Sequence, residues 1–285
     1  MFDVAIIGGG PAGLSAAVTA SVRNKKVAIF DSSNFSPHLR KAWIVHNYLG
    51  FANISGEELM NKFIEHAMSF KPEVIKSKVI GITEGEGFFT IGTAGDIYQA
   101  KTIILSVGTS HSETMNGERD FLGKGVSYCA TCDGFFYKGK VVAAVSTVPS
   151  ALEEVEYLAE LCSEVKFLPL YKLAEVPKHR NITVISDKPT GVTGTDRVTG
   201  LSTTGEYLPV QGVFIFRETD PIENLLPDLQ LRGKSIFVDE QMSTNIAGLF
   251  AAGDCTGQPY QISRATGQGL IAALGAVSYL SKNFK

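Results

Sequence analysis

The stretch FDVAIIGGGPAG, residues 2–13, joins an apolar run to a glycine-rich turn. The run Phe2–Ile7 is rich in Val and Ile, which is typical of a central parallel strand covered on both faces. Three glycines follow at the spacing of a dinucleotide-binding loop. Gly8 permits the tight turn, Gly10 lets the backbone approach a pyrophosphate, and Gly13 lets a helix pack on the strand. The stretch therefore predicts the start of a Rossmann-like unit.

The elements after the glycine turn follow in the order that a dinucleotide-binding unit requires. Pro11 and Ala12, inside the turn, belong to the predicted cofactor-binding set. The helical run Leu14–Val22 presents the positive end of its dipole to bound phosphates. The next strand, Lys26–Phe30, ends at Asp31, the acidic residue expected to bind a ribose hydroxyl. A glycine turn alone is a weak signal, but this order makes a nucleotide site the favoured interpretation.

A second motif, GVSYCATCDGFFY at residues 125–137, carries a closely spaced cysteine pair. Cys129 and Cys132 stand at the spacing at which two thiols close a disulfide or share a metal. The other cysteines, Cys162 and Cys255, are isolated and do not supply the second pair of a four-thiolate zinc site. Redox use is therefore favoured, and no metal is expected.

Asp133 follows the cysteine pair directly. Thiol exchange needs a thiolate to attack and another to leave, so a neighbouring carboxyl that trades protons is useful, and Asp133 is the candidate. The alternative is a simple turn, because Asp133-Gly134 is a common turn dipeptide. For Cys162 and Cys255 the favoured interpretation is that of small buried hydrophobic residues.

Length and composition indicate a two-domain chain without a strong charge preference. The chain has 285 residues, of which 44% are hydrophobic and 19% charged, as expected for compact cores. Its net charge of −3 gives no electrostatic argument for a nucleic acid or an anionic membrane. The glycine turn lies too near the N-terminus to follow a signal peptide, and no apolar run reaches membrane-spanning length. The cysteine usage fits a reducing cytoplasm.

The second half of the chain begins another strand-turn-helix unit, but its turn lacks glycine. Strand Val141–Val145 is followed by the turn Ser146–Pro149 and by a helix, Ser150–Cys162, that opens on a capping-box pattern. The β-branched residues Thr147 and Val148 stand where bare backbone would have to meet a pyrophosphate. The pattern predicts a dinucleotide-binding fold whose phosphate loop has been overwritten.

Further segments complete the α/β pattern. Within the loop Ser32–Gly50, Asn47 is a cofactor candidate, whereas His38, Trp43 and His46 are interpreted as packed or interface residues. The other predicted elements are the helix Gly56–Phe70, the strands Val74–Ile82, Phe88–Thr93, Ile97–Gln99, Thr102–Val107, Val165–Leu170, Ser235–Val238 and Gly248–Ala252, and the helix Ser263–Leu280.

Glycines at element ends and inside the last helix are further candidates. Gly108, directly after a predicted strand, would let the chain pass close to a bound nucleotide. The last helix carries Gly267, Gly269 and Gly275. Because glycine lowers helix stability, these positions indicate either close packing against another element or the approach of a cofactor.

Across nearly its whole length the chain resembles the low-molecular-weight thioredoxin reductases. The motifs that carry the resemblance are GGGPAG at 8–13, CATCDGFFY at 129–137 and TNIAGLFAAGD at 244–254. The resemblance implies an α/β fold of two Rossmann-like three-layer domains. A discontinuous FAD domain, residues 1–112 and 237–285, would enclose an inserted domain, residues 113–236, that corresponds to the NAD(P) domain and carries the cysteine pair.

The resemblance also implies the chemistry. Cys129 and Cys132 would cycle between disulfide and dithiol, reduced by FAD and oxidised by thioredoxin, with Asp133 as proton donor and Cys132 nearer the flavin. Further FAD contacts are expected at Val79, Gly253, Asp254, Gln261 and Ile262. A cytoplasmic homodimer is implied as well. Since the cysteine pair cannot face flavin and a protein disulfide at once, a reorientation of the inserted domain during turnover is expected.

Departures from the family affect the pyridine-nucleotide site most. Residues 146–151 replace its second glycine-rich loop, and Pro169-Leu170-Tyr171 replaces the His-Arg-Arg cluster that binds the 2′-phosphate. The first change removes room for a pyrophosphate, and the second removes the bidentate charge that selects NADPH. The family's Gly-Gly-Gln near Pro37–Leu39 is absent too. This pattern resembles the ferredoxin-dependent flavin thioredoxin reductases of anaerobic bacteria, which implies reduced ferredoxin as electron donor.

Several alternatives stay open from the sequence. NAD(P)H bound through an unfamiliar loop, or another flavoprotein, could supply the electrons. A protein of another class would be a non-catalytic redox sensor whose cysteine pair reports the flavin state, or a structural nucleotide-binding module. Arg40 and Lys41 could form a basic docking patch for ferredoxin, but solvated surface charge is the favoured interpretation.

Overall fold

The chain folds into two compact units. The computed structural model describes residues 1–32, 35–93, 95–109, 115–217, 222 and 225–284. The first unit comprises Met1–Ser110 and Ile222–Lys285, and the second comprises His111–Pro221. The insertion agrees with the sequence analysis, but the chain returns to the first unit at residue 222 rather than 237. The reason is that apolar side chains between 222 and 236 pack into the core of the first unit.

Strands and helices alternate near the start of each unit and are followed there by runs of consecutive strands. The helices are α1 (Pro11–Val22), α2 (Pro37–Arg40), α3 (Gly56–Ser69), α4 (Ala130–Asp133), α5 (Leu152–Leu161) and α6 (Ile262–Asn283). The strands are β1 (Phe2–Ile7), β2 (Val27–Phe30), β3 (Glu73–Ile75), β4 (Val79–Glu84), β5 (Phe89–Thr93), β6 (Ile97–Leu105), β7 (Val126–Ser127), β8 (Val141–Ser146), β9 (Glu164–Pro169), β10 (Ile182–Val184), β11 (Pro189–Gly194), β12 (Val198–Thr203), β13 (Tyr207–Pro209), β14 (Gly212–Phe216), β15 (Leu231–Arg232), β16 (Ser235–Ile236) and β17 (Leu249–Ala251).

A mixed sheet forms the middle layer of the first unit. Its strands lie in the order β3-β2-β1-β6-β5-β4, and β17 also pairs with β6. The strands β1, β2, β3, β6 and β17 run parallel, whereas β4 and β5 are antiparallel to their neighbours. The segments predicted as Ile97–Gln99 and Thr102–Val107 form the single strand β6, because residues 97–100 pair with β5 and residues 100–105 continue by pairing with β1.

Small side chains hold the helices against one face of this sheet. Ala16 and Ala17 of α1 and Ala272 and Ala273 of α6 are fully buried in one cluster. A Cβ on Gly269 of α6 would lie 2.1 Å from the carbonyl oxygen of Ala12, and one on Gly275 would meet the Phe250 ring at 2.7 Å. Close packing therefore explains Gly269 and Gly275, whereas a Cβ on Gly267 would have no neighbour within 4 Å among the residues that the structure describes.

The second unit also has three layers. Its parallel sheet has the order β10-β9-β8-β14-β7. Apolar residues of α5 pack on one face, where Val155, Leu158 and Phe167 are fully buried. The antiparallel strands β11, β12 and β13 cover the other face through residues such as Leu201 and Leu208. Both units therefore have the Rossmann-like architecture that the sequence predicts.

The start of α5 differs from the prediction. Ser150 lies in a 3₁₀ turn, Pro149–Ala151, and the N-cap of α5 is Ala151, which makes no side-chain capping bond. The predicted capping box is therefore wrong. The physical reason is the 3₁₀ turn that begins at Pro149, because it places Ser150 one residue before the N-cap of α5.

Some predicted loop residues are undescribed or differ from expectation. Residues 111–114 and the side chain of His38 lie outside the described residues. Trp43 is 87% exposed, so it is not packed within the described chain. His46 is exposed as well, and its Nδ1 lies 2.7 Å from Oδ1 of Asn53. In the part of the chain that the structure describes, no helix has both the length and the apolar character needed to cross a membrane.

Candidate active site

The glycine turn after β1 has the geometry of a phosphate-binding loop. Gly8 has φ +105°, and a Cβ there would lie 2.4 Å from the carbonyl oxygen of Ser106. A Cβ on Gly13 would lie 2.0 Å from the carbonyl oxygen of Gly8. Among the described residues, in contrast, the atom nearest to a Cβ on Gly10 would belong to Ser36, at 3.9 Å. The turn is thus closed toward the protein and open at Gly10, which is where a pyrophosphate fits.

The N-terminus of α1 adds donors to this cradle. Gly10 is its N-cap, and among the described residues no side chain caps the helix. The first backbone N–H groups of a helix have no intrahelical acceptor, and the helix dipole favours an anion beside them. The residues of the turn therefore fit the phosphates of a dinucleotide such as FAD.

Asp31 is held at the end of β2 by backbone donors. The N–H of Gly9 donates to its Oδ2 at 2.8 Å, and the N–H of Phe35 donates to its Oδ1 at 2.9 Å. Asp31 is 8% exposed. Each carboxylate oxygen has a second lone pair, so Asp31 can position the turn and still accept from a ribose hydroxyl.

The segment after β17 joins the glycine turn. Gly253 has φ +83°, and a Cβ there would meet Cβ of Ala12 at 2.9 Å. The N–H of Gly253 donates to Oε1 of Gln268 on α6 at 2.9 Å, and the hydroxyl of Thr256 donates to the same oxygen at 3.0 Å. Ala12 and Gly253, predicted from distant motifs, therefore lie together. Gln268 was not predicted, since one glutamine inside a helix carries no sequence signal.

Asn47 and Gln261 are brought together although 214 positions separate them. The amide Nδ2 of Asn47 donates to Oε1 of Gln261 at 2.9 Å. Gln261 is the N-cap of α6, and Ile262 is its first residue. Both amides are exposed. The pair links the loop before α3 to the start of α6.

The remaining cofactor candidates differ in what they offer. Gly108 has φ +74°, and no described residue comes within 4 Å of a Cβ placed there, which suits close passage of a ligand. Asp254 is half-buried after Gly253. The Val79 side chain is 6% exposed and belongs to the core, so a cofactor contact at Val79 would involve its backbone.

In the second unit Cys129 and Cys132 form a disulfide at the start of α4. Their Cα atoms are 5.3 Å apart. Cys129 is the N-cap and is 7% exposed, whereas Cys132 is exposed. The N–H of Cys132 lies 3.1 Å from Sγ of Cys129. The same N–H would stabilise a thiolate on Cys129 after reduction, since a hydrogen bond to the charged form favours that form.

Ser127 connects the disulfide to Asp133. Its hydroxyl donates to Oδ2 of Asp133 at 2.6 Å and accepts from the N–H of Cys129 at 3.1 Å. Ser127 is buried at the end of β7, and Asp133 is half-buried. The interpretation of Asp133 as a simple turn residue is incomplete, because its carboxylate is tied to the cysteine loop. Ser127 was not predicted, since its role depends on the path of the chain through β7.

The turn after β8 has its backbone donors satisfied internally. The N–H of Thr147 donates to the carbonyl oxygen of Phe216 at 3.0 Å, and the N–H of Val148 donates to the Ser146 hydroxyl at 3.1 Å. The Val148 side chain packs against the apolar cluster beneath α5. A pyrophosphate would have to compete with these bonds and displace this side chain. The turn therefore has internal hydrogen bonds and a packed side chain where a phosphate-binding loop would leave its backbone open, in line with the sequence prediction.

At the end of β9, Pro169-Leu170-Tyr171 stands in place of the arginine cluster that would bind a 2′-phosphate. The N–H of Leu170 donates to the carbonyl oxygen of Ser146 at 2.7 Å, which holds the two strand ends together. Tyr171 packs on the same apolar cluster as Val148. Burial raises the pKa of its hydroxyl, and the nearby Ser146 acts in the opposite direction. A half-buried phenol stands here instead of guanidinium groups that would pair with a 2′-phosphate.

The other two cysteines, Cys162 and Cys255, are unreactive because they are buried. Cys162 and Cys255 are free thiols, 6% and 7% exposed. Burial raises the pKa of Cys162 to about 11 and that of Cys255 to about 12. Neither forms thiolate at neutral pH, so the interpretation as buried hydrophobic residues is confirmed.

Arg40 is not available as a docking charge. Its guanidinium forms an ion pair with Glu57, donates to Oδ1 of Asn61 at 3.0 Å, and donates from Nε to the carbonyl oxygen of Phe35 at 3.2 Å. These bonds fix the loop between β2 and α3. The sequence favoured solvated surface charge for Arg40, whereas these contacts give its guanidinium a structural role.

Comparison with known proteins agrees with this geometry. A family model for pyridine nucleotide-disulphide oxidoreductases matches residues 2–269. A thioredoxin reductase of Listeria monocytogenes is 31% identical, over 99% of this chain and 95% of that protein. The solved structure of a ferredoxin-flavin thioredoxin reductase from Clostridium acetobutylicum is 45% identical with a TM-score of 0.92, over 99% of this chain and 98% of that one. An atypical thioredoxin reductase from Desulfovibrio vulgaris Hildenborough is 32% identical with a TM-score of 0.71, over 100% and 99%. The chain therefore belongs to the pyridine nucleotide-disulphide oxidoreductases, a family of FAD flavoproteins, and is an oxidoreductase of the thioredoxin reductase type.

Proposed function

We propose that this protein reduces thioredoxin with electrons from reduced ferredoxin, through FAD bound in the first unit and the Cys129–Cys132 disulfide. The observation that carries the choice of donor is the turn after β8. The N–H groups of Thr147 and Val148 donate to Phe216 and Ser146, and the Val148 side chain packs against the apolar cluster beneath α5. The 45% identity to a ferredoxin-flavin thioredoxin reductase supports the same donor.

Bound FAD would supply the electron transfer that the side chains cannot perform, since a flavin accepts electrons singly and passes them on as a pair. The disulfide takes up that pair together with two protons and becomes a dithiol. One thiolate then attacks a sulfur of the thioredoxin disulfide, forming a mixed disulfide and releasing a thioredoxin thiolate, which is protonated. The second thiol displaces the other thioredoxin sulfur and restores Cys129–Cys132. We assign proton transfer in these exchanges to Asp133, which Ser127 holds beside the cysteine loop.

The donor is tested by anaerobic flavin absorbance. Chemically reduced ferredoxin is expected to bleach the flavin at a rate that supports turnover. Excess NADPH is expected to bleach it at least about a hundredfold more slowly, because both the pyrophosphate contacts and the arginine pair are missing. Dithionite controls for a reducible flavin, and an NADPH-dependent thioredoxin reductase controls for the nucleotide. Prompt bleaching by NADPH would contradict the donor assignment and indicate an NAD(P)H-dependent enzyme.

The surface beside the disulfide supports a protein substrate. Phe135 and Phe136 follow Asp133 in a 3₁₀ turn and are 67% and 69% exposed. Exposed aromatic pairs are enriched where proteins dock, since they bury a large area with little loss of side-chain entropy. We therefore assign this pair to the contact with thioredoxin.

Replacing both phenylalanines with alanine is expected to raise the KM for thioredoxin about tenfold, because an exposed aromatic anchor contributes on the order of 1–2 kcal/mol. The reduction of a small aromatic disulfide should stay within about twofold, since that substrate needs no docking surface. Steady-state kinetics with both substrates measure the difference. Val176→Ala, which changes an 86% exposed side chain elsewhere in the same unit, is the control. Equal losses with both substrates would contradict a docking role.

A further inference from the structure

A buried ion pair lies in the second unit, outside the machinery described so far. Nη1 of Arg217 lies 2.5 Å from Oε1 of Glu118, and Nη2 lies 2.7 Å from Oε2. Glu118 is fully buried and Arg217 is 8% exposed. The two parallel bonds are the bidentate arrangement that fixes both planar groups in one orientation.

The carboxylate of Glu118 accepts two more hydrogen bonds. The hydroxyl of Tyr128 donates to Oε1 at 2.8 Å, and the N–H of Met115 donates to Oε2 at 2.9 Å. Burial raises the pKa of this carboxyl, but the bonds from Arg217, Met115 and Tyr128 outweigh it, so the pKa lies below its usual range. Glu118 is therefore a charged group with two donors on each oxygen.

In sequence, the cluster lies near the points where the chain enters and leaves the second unit, and next to the cysteine loop. The chain enters the second unit after Ser110 and leaves it after Pro221. Glu118 lies near the first crossing in sequence and Arg217 near the second. Tyr128 directly precedes Cys129. Buried ion pairs contribute little to net stability, because desolvation offsets most of the attraction, whereas they do select one arrangement of the groups that they join.

We propose that Glu118 is a positioning residue for the redox disulfide. Through Tyr128 it holds the backbone that enters Cys129, and through Arg217 it anchors this backbone to the strand that leads out of the unit. The Ser127 hydroxyl holds the same loop by accepting from the N–H of Cys129. This inference rests on the proposed redox role of the cysteine pair.

The tether should act mainly on the reduced state. In the oxidised protein the covalent bond already restrains residues 129–132. After reduction, the bonds to Ser127 and the Tyr128–Glu118 contact remain as restraints on the start of this loop. Removing the contact gives the dithiol conformational freedom that the disulfide form cannot gain. The dithiol is thereby favoured, and the reduction potential of the pair becomes less negative.

Tyr128→Phe tests this directly, because it removes the hydroxyl and leaves the Glu118–Arg217 pair in place. The holoenzyme is equilibrated anaerobically with reduced and oxidised glutathione, and the cysteine thiols are counted by alkylation and mass spectrometry. We expect the equilibrium constant for reduction to rise about fivefold, which corresponds to ~20 mV for a two-electron couple. Cys162 and Cys255 do not obscure the count, because both are buried with raised pKa values.

Two further variants separate positioning from stability. Tyr207→Phe removes the hydroxyl of a tyrosine on β13 that is 51% exposed, and should leave the potential unchanged. Glu118→Gln should shift the potential in the same direction as Tyr128→Phe and also lower thermal stability. A Tyr128→Phe potential equal to that of the unmodified enzyme would overturn the positioning role. A cysteine pair that does not equilibrate with glutathione even in the unmodified enzyme would instead overturn the redox role itself. The readout requires neither ferredoxin nor thioredoxin.

Discussion

Cys132→Ser is expected to lower thioredoxin reduction by about a thousandfold or more, because a hydroxyl neither forms the disulfide nor replaces a thiolate in exchange. Cys132 is the exposed member of the pair, and its side chain supports no core. The variant should therefore fold, bind FAD and be reduced by ferredoxin at its usual rate. Stopped-flow absorbance of the flavin and a thioredoxin reduction assay measure the two steps separately.

Cys162→Ser is the matched control for this change. It makes the same atom replacement in the same unit, at a thiol that is 6% exposed and carries no redox partner in the described chain. Its activity should stay within about twofold of the unmodified enzyme, since a buried cysteine acts as a small hydrophobic residue. If Cys132→Ser kept a tenth of the activity, electrons would have to leave the flavin by another route, and the proposed function would be wrong.

Local patterns in the sequence predicted most elements of the fold. The strand, glycine turn, helix, strand and acid over residues 2–31 form in that order, because each step is specified by neighbouring residues. The filled turn at Ser146–Ala151 was also predictable, since Thr147 and Val148 have side chains where a phosphate loop needs none. The predicted end of the inserted domain, residue 236, differs from the observed one because short apolar segments do not show which of two cores they join.

Contacts between residues far apart in the sequence could not be predicted from local patterns. Asn47 and Gln261 were separate candidates, and the sequence did not show that their amides meet. Ser127 and Gln268 carried no signal, because their roles come from strands and helices that bring remote residues into hydrogen-bonding distance. The Glu118–Arg217 pair spans 99 positions and depends on both ends of the inserted unit. Such residues are selected by tertiary position rather than by residue type.

Gly10→Ala is expected to weaken FAD binding about a hundredfold, or ~2.7 kcal/mol, while the fold stays intact. The backbone of Gly10 has φ −74° and ψ −175°, which alanine adopts without strain. In the part of the chain that the structure describes, the atom nearest to its Cβ would be that of Ser36 at 3.9 Å, so the added methyl projects into the space assigned to the pyrophosphate. Fluorescence titration of the FAD-free protein with FAD measures the affinity, and denaturant unfolding of the same protein measures stability. The unfolding free energy should fall by no more than ~1 kcal/mol, the usual effect of alanine at an N-cap.

Gly13→Ala shows why the two glycines of one turn should behave differently. Alanine in α1 would gain about 1 kcal/mol in helix propensity. Its Cβ, however, would lie 2.0 Å from the carbonyl oxygen of Gly8, a backbone atom held by the turn, so the helix must shift away from β1. We expect the FAD-free protein to lose about 3 kcal/mol in unfolding free energy, as overpacked sites do. Equal destabilisation by both substitutions would mean that Gly10 serves packing rather than the cofactor. Loss of affinity in Gly10→Ala without loss of stability would identify the open side of the turn as the place where the pyrophosphate binds.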